Sequence, residues 1–120
     1  MKDVTSLEIR KKYNEYLDWL IDKVGRFPQK YKFTLGDRIL NIGFDVLEQI
    51  ILIQYSPKGE RHLLLRGFNL RLETLREFMR LAWRKKIIGD RAFVFQEYQI
   101  DQVGRMIHGL ASGNLPSKQK

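Results

Sequence analysis

Between residues 65 and 82, apolar side chains recur at Leu65, Phe68, Leu72, Leu75, Met79 and Ala82, in steps of three and four without a break. An α-helix returns one face at that spacing, whereas a strand returns the same face at every second residue. The pattern predicts a helix over about Gly59–Ile88, roughly 40 Å long at 1.5 Å per residue. Its seam suits packing among other helices. Gly67 lies inside the seam segment. A glycine there costs about 1 kcal/mol against alanine and permits close approach of a neighbour.

Three further segments carry the same period. From Ser6 to Gly25, the side chains Tyr13, Leu17, Leu20, Ile21 and Val24 share a face. Ser6 reads as the cap, Glu8 favours the first turn, Gly25 is the exit and Pro28 blocks continuation. A second helix starts at Phe33 or Thr34, where Thr34 and Asp37 resemble a capping box. It carries the stripe Ile39, Ile42, Val46, Ile50, Ile53 beside a second stripe, Leu40, Phe44, Leu47, Ile51. Two stripes mean contacts on more than one side. The run IILI at 50–53 also suits a buried strand, but the unbroken helical period before it favours a helix. SPKGE at 56–60 makes a turn, and IGD at 88–90 makes the next, with Asp90 as cap. The fourth helix covers about Arg91–Ala111, with Phe93, Ile100, Val103, Ile107 and Leu110 inward and Tyr98 and Met106 at the edge. Short connections put consecutive helices antiparallel. The expectation is an all-α, up-down-up-down four-helix bundle, a single domain over residues 1–113 with a flexible tail at 114–120.

A chain of 120 residues suits one core. It has no cysteine, which excludes a disulfide framework and thiolate metal sites and fits a reducing compartment. No run approaches the ~18 apolar residues of a membrane span, and MKDVTSLEIRKK has no apolar signal-peptide core. A cytoplasmic protein with no membrane association is expected. His62 and His108 are far apart, and neither has a partner one turn away that completes a metal set. The Glu-x-x-His pairs of di-iron bundles are missing, as are Gly-rich phosphate loops. Asp18, Asp45, Glu48 and Asp101 carry no spacing that pairs them. The residues therefore point away from an enzyme and from any metal or cofactor, and the two histidines read as surface or helix-end residues.

Charge is the more informative feature. The net charge is +8, which makes a polyanion a candidate partner. In RLETLREFMRLAWRKK at 71–86, Arg76, Arg80 and Arg84 are spaced i, i+4, i+8, and Lys85 and Lys86 extend the cluster. One reading is a solvated face, with Glu73 paired to Arg76 and Glu77 to Arg80 or to the neighbours of Arg84, and with the last cations serving the helix C-terminus. The other is a phosphate-binding stripe, because the guanidinium fork donates two hydrogen bonds to one anion. Nothing in it reads base edges, so such binding would be backbone-driven and salt-sensitive. A second basic patch, Arg26, Lys30 and Lys32, alternates with Phe27, Tyr31 and Phe33. Aromatics among cations can stack single-stranded bases, although Phe27 and Phe33 are expected to cap the end of the bundle instead.

FPQKYKFTLGDRI at 27–39, LETLREFMRLAWRKKII at 72–88 and QVGRMIHGLASG at 102–113 occur in that order. Together they resemble the accessory variability determinant family of diversity-generating retroelements. They also resemble the related four-helix proteins encoded in intervening sequences of large-subunit ribosomal RNA genes. The resemblance covers about residues 6–113. It implies a four-helix bundle assembled into a homopentameric barrel. In the retroelement branch it implies a non-enzymatic partner of the element's reverse transcriptase that binds RNA or DNA and supports mutagenic cDNA synthesis and retrohoming. By the same resemblance the nucleic-acid role falls on Arg76, Arg80 and Arg84, and also on Lys85 and Arg105. Pro28, Gly36, Arg38, Gly104 and Gly109 carry turn, packing and helix-exit roles. The ribosomal branch implies only a helical oligomer with a structural or protein-partner role.

Overall fold

The seam from Phe68 to Ala82 is buried along one face of a helix, but that helix is shorter than its sequence pattern. A computed structural model describes residues 4–113; the predicted tail at 114–120 lies outside the described residues. The elements are α1 (Val4–Gly25), the single turn α2 (Gln29–Lys32), α3 (Leu35–Tyr55), a 3-10 segment (Lys58–Leu64), α4 (Leu65–Arg84) and α5 (Asp90–Ser112). The described residues are all helix and turn, with no strand. The four long helices close a ring: α1 packs on α3, α3 on α4, α4 on α5 and α5 on α1. The predicted four-helix bundle is thus the observed architecture.

The segment IILI is helical throughout, within α3. Its period matches the buried stripe Ile39, Val46, Ile50 and Ile53, each fully buried. Burying a large aliphatic side chain contributes about 1.5–3 kcal/mol, so this shared face outweighs any local β-preference. From α1 come Ile9, Tyr13, Tyr16 and Leu20, and from α5 Ile100, Val103, Ile107 and Leu110, all essentially inaccessible. Aromatic contacts run from Tyr13 through Tyr16 and Trp19 to Phe95, linking α1 to α5. Ile21 departs from expectation and is 44% exposed, on the rim of the α1 face. The second stripe of α3 is divided: Leu40 and Leu47 pack against the core, whereas Phe44 is exposed.

Four sequence expectations change at helix ends. Ser6 lies inside α1 and is buried rather than capping it; its carbonyl accepts a hydrogen bond from the Gln54 side chain at 2.8 Å. Thr34 makes no side-chain cap on α3; its hydroxyl lies 3.4 Å from the carbonyls of both Lys30 and Tyr31, so the capping box with Asp37 does not form. Asp90 is the first residue of α5, with Gly89 in the capping position, and its carboxylate accepts from the Trp83 indole N–H at 2.8 Å. The long third helix is broken, because Lys58–Leu64 winds as a 3-10 helix. That tighter coil lets buried Arg61 turn back and donate to the carbonyls of Ile53 and Gln54, both at 3.0 Å. Both belong to the last turn of α3, whose carbonyls lack a full set of intrahelical partners; the Ile53 carbonyl also accepts from the Ser56 N–H at 3.3 Å. The 20 residues left in α4 span roughly 30 Å, not 40.

Two glycines bring α1 and α3 together. A Cβ on Gly36 would lie 2.8 Å from Val24, and one on Gly43 would lie 3.1 Å from Leu20 and 3.3 Å from Leu17. The Tyr13 hydroxyl donates to the Gly43 carbonyl at 2.6 Å across the same interface. Gly104 plays the expected packing part, against Leu72. Gly109 is interior to α5; the exit is Gly113, whose φ of 78° is left-handed.

Candidate nucleic-acid interface

Arg76, Arg80 and Arg84 do share a helix face, and α5 decides what that face meets. Arg76 donates to Asp101 at 3.0 Å and lies 4.0 Å from Glu73. Arg80 pairs with Glu77 and reaches Glu97 at 3.8 Å. Arg105 lies 3.6 Å from Asp101, with 79% of its side chain exposed. Three of the five sequence-predicted cations therefore stand in the α4–α5 groove beside the four carboxylates Glu73, Glu77, Glu97 and Asp101. The pairs Glu73–Arg76 and Glu77–Arg80 are those expected of a solvated face. The partners from α5 are not evident from the charged helix alone. Their signal is an acidic i, i+4 pair, Glu97 and Asp101, flanking the buried Ile100; in an antiparallel neighbour such a pair faces cations that flank the opposing seam.

The α4–α5 groove is lined by Asn69, Glu73, Arg76, Asp101, Arg105 and His108, among others. His108 is exposed, its Nε2 2.7 Å from the Asn69 Oδ1, and His62 is exposed as well. Among the described residues no group of three or more His, Asp or Glu is placed to hold a metal ion. Partly exposed ion pairs contribute about 0.2–1 kcal/mol each. The double variant Arg76→Gln/Arg80→Gln is therefore expected to lose about 0.5–2 kcal/mol in thermal denaturation, with helical content retained by circular dichroism. An unchanged melting curve would mean that the apolar seam alone holds α4 to α5.

Arg84 and Lys85 are placed differently. Both are exposed and form no ion pair among the described residues. Here α4 ends in a Schellman turn, the Lys86 N–H bonding to Trp83 O at 2.9 Å and the Ile87 N–H to Ala82 O at 2.8 Å. Lys86 occupies the left-handed position of that turn, with φ 63°. Trp83 lies flat on Phe93, with ring centroids 4.5 Å apart and planes 9° apart.

The antiparallel topology brings the second basic patch to this same end. Trp19 of α1 meets Phe95 of α5, and Arg38 of α3 lies over the ring of Phe78 in α4 at 5.5 Å. The α1–α3 connection therefore ends up beside the α4–α5 turn. Lys23, Arg26, Lys30, Lys32 and Arg38 join Arg84, Lys85, Lys86 and Arg91, against Asp22, Asp37 and Asp90. Nine cations and three carboxylates give this end +6 of the chain's net +8. Phe27 is buried, as expected for a bundle cap, but Phe33 is 63% exposed. Phe33 is the residue that closes the single turn of α2.

Among the described residues no helix is long and apolar enough to cross a membrane. A family model described as bAvd-like matches residues 7–113. Comparison with curated proteins and with solved structures gives no match.

Proposed function

The chain belongs to the bAvd-like (accessory variability determinant-like) family, and on that premise we propose that it is a non-enzymatic accessory protein of a diversity-generating retroelement. In this reading it binds the element's reverse transcriptase together with RNA or DNA, and supports mutagenic cDNA synthesis and retrohoming. The family match over nearly the whole chain carries the proposal. The excess positive charge supports it, since a partner in cDNA synthesis works against polyanions. Of the five cations singled out from the sequence, Arg84 and Lys85 are free to meet phosphate. Arg76, Arg80 and Arg105 would do so by exchanging carboxylate partners, at a cost that falls as salt weakens those pairs. Assembly as a homopentamer belongs to the same proposal. The half-covered stripe on α3, with Phe44 at 41% exposure and Tyr55 at 71%, gives subunits an apolar face to cover.

The ion-paired state of Arg76 and Arg80 favours a second reading, a helical oligomer with a structural or protein-partner role. Co-purification separates the two. The protein is co-expressed with a reverse transcriptase of a diversity-generating retroelement and purified at low and moderate salt. A stable complex that retains RNA is the expected result. A pentamer by sedimentation, with neither polymerase nor RNA bound, overturns the accessory reading and leaves the second.

A further inference from the structure

We infer that the bundle end built from the α1–α3 and α4–α5 connections is a docking surface for single-stranded nucleic acid, an inference that rests on the nucleic-acid role proposed above. Three features converge there. The first is charge complementarity: the end carries +6, whereas the Arg76–Arg80–Arg105 groove is offset by its own carboxylates. Its cations form no ion pairs among the described residues, so each can release a counterion on meeting a phosphate.

The second feature is aromatic. Phe33 is 63% exposed, with the Lys32 ammonium 5.9 Å from its ring centroid. Across the end, an open cleft of ≈ 670 Å³ is lined by Trp83, Arg84, Lys86, Ile88, Gly89 and Asp90. Its Trp83 ring is backed by Phe93 and steered by Asp90. Rings flanked by cations suit unpaired bases, whose faces are open, and not a duplex, whose bases are stacked on one another. The third feature is Lys86. A left-handed backbone costs a residue with a Cβ roughly 1–2 kcal/mol, and glycine is the usual occupant of this turn position. A lysine at φ 63° keeps a cation at the mouth of the cleft despite that cost.

The test is fluorescence anisotropy of a labelled oligo-uridylate, titrated with the full-length protein at several salt concentrations. The end variant is Arg84→Gln/Lys85→Gln/Lys86→Gly, whose glycine suits the left-handed turn. The control is Lys11→Gln/Lys58→Gln/Arg66→Gln, which removes equal charge from exposed sites towards the far half of the bundle. The end variant is expected to bind about tenfold or more weakly. Its log–log salt dependence should be shallower by about 2, at ~0.7 per lost phosphate contact. The control should lose less than about threefold. Phe33→Ala should lose about fivefold or more with its salt slope intact. Equal losses in the end and control variants would reduce the interaction to net charge and overturn the inference. So would unchanged RNA affinity with loss of the reverse transcriptase, which assigns this end to the protein partner. A wild-type chain that binds no RNA at low salt overturns the nucleic-acid role itself, an outcome distinct from both.

Discussion

Phe68→Ala is expected to destabilise the bundle by about 3–5 kcal/mol, the cost of emptying a large aromatic site in a packed core. Phe68 is fully buried in the first turns of α4, just where the 3-10 segment gives way to the α-helix. Neighbours there are fixed from two sides: Arg61 ties the segment to the end of α3, and the seam ties α4 to the remaining helices. Little collapse into the space is possible, so the full cavity cost should appear. Native domains of this size hold about 5–15 kcal/mol in all. Thermal denaturation should therefore fall by tens of degrees, or the variant should be unfolded at room temperature. Leu70→Ala is the control. Leu70 is two residues away on the same helix but 65% exposed, and its loss should stay within about 0.5 kcal/mol. Similar losses in the two variants would mean that the seam does not organise the core.

The second large effect is alkaline unfolding. Burial pushes the Tyr13 and Tyr16 phenols well above their ordinary range, with smaller contributions from Tyr16 and Asp45 on Tyr13 and from Glu97 on Tyr16. Both hydroxyls stay protonated in the folded chain while the unfolded chain ionises them near pH ~10. The stability they carry is whole below that pH and is lost as pH rises above it. Each buried phenol then removes about 1.4 kcal/mol per pH unit, and the two together about twice that. Circular dichroism followed upward from pH ~9 should show cooperative loss of helix, with the tyrosinate absorbance of this pair rising in the same transition. The two single variants separate their roles. Tyr16→Phe should be neutral or stabilising, since the Tyr16 hydroxyl is buried with no hydrogen-bond partner among the described residues, and a buried unpaired hydroxyl is costly. Tyr13→Phe should lose about 1 kcal/mol, because its hydroxyl holds the Gly43 carbonyl across the α1–α3 contact. Both should move the alkaline midpoint upward. Reversible titration of this pair in a chain that stays folded would show the two rings to be accessible.

The presence of four helices and most of their inward faces are determined by the sequence alone, Ile21 and the start of the third helix excepted. The 3.6-residue period is a local property, and apolar burial is the largest favourable term in folding. That is why Phe68, Leu72, Leu75 and Met79, or Ile39, Val46, Ile50 and Ile53, could be read directly from their spacing. Helix ends were less legible at Ser6, Thr34 and Asp90, where the competing contacts come from other elements. A buried Arg61 that closes α3 leaves no trace in periodicity, so the break before Leu65 is invisible without it.

The charged surface is what tertiary structure decided. Spacing correctly puts Arg76, Arg80 and Arg84 on one helix face. Whether a cation is free depends on residues far along the chain, as with Arg76 and Asp101, which are 25 positions apart and 3.0 Å from each other. The antiparallel path also joins two basic stretches separated by some fifty residues at one end of the bundle. Coulombic energy depends on distance in space and on exposure to solvent, and neither is encoded in spacing along a single helix.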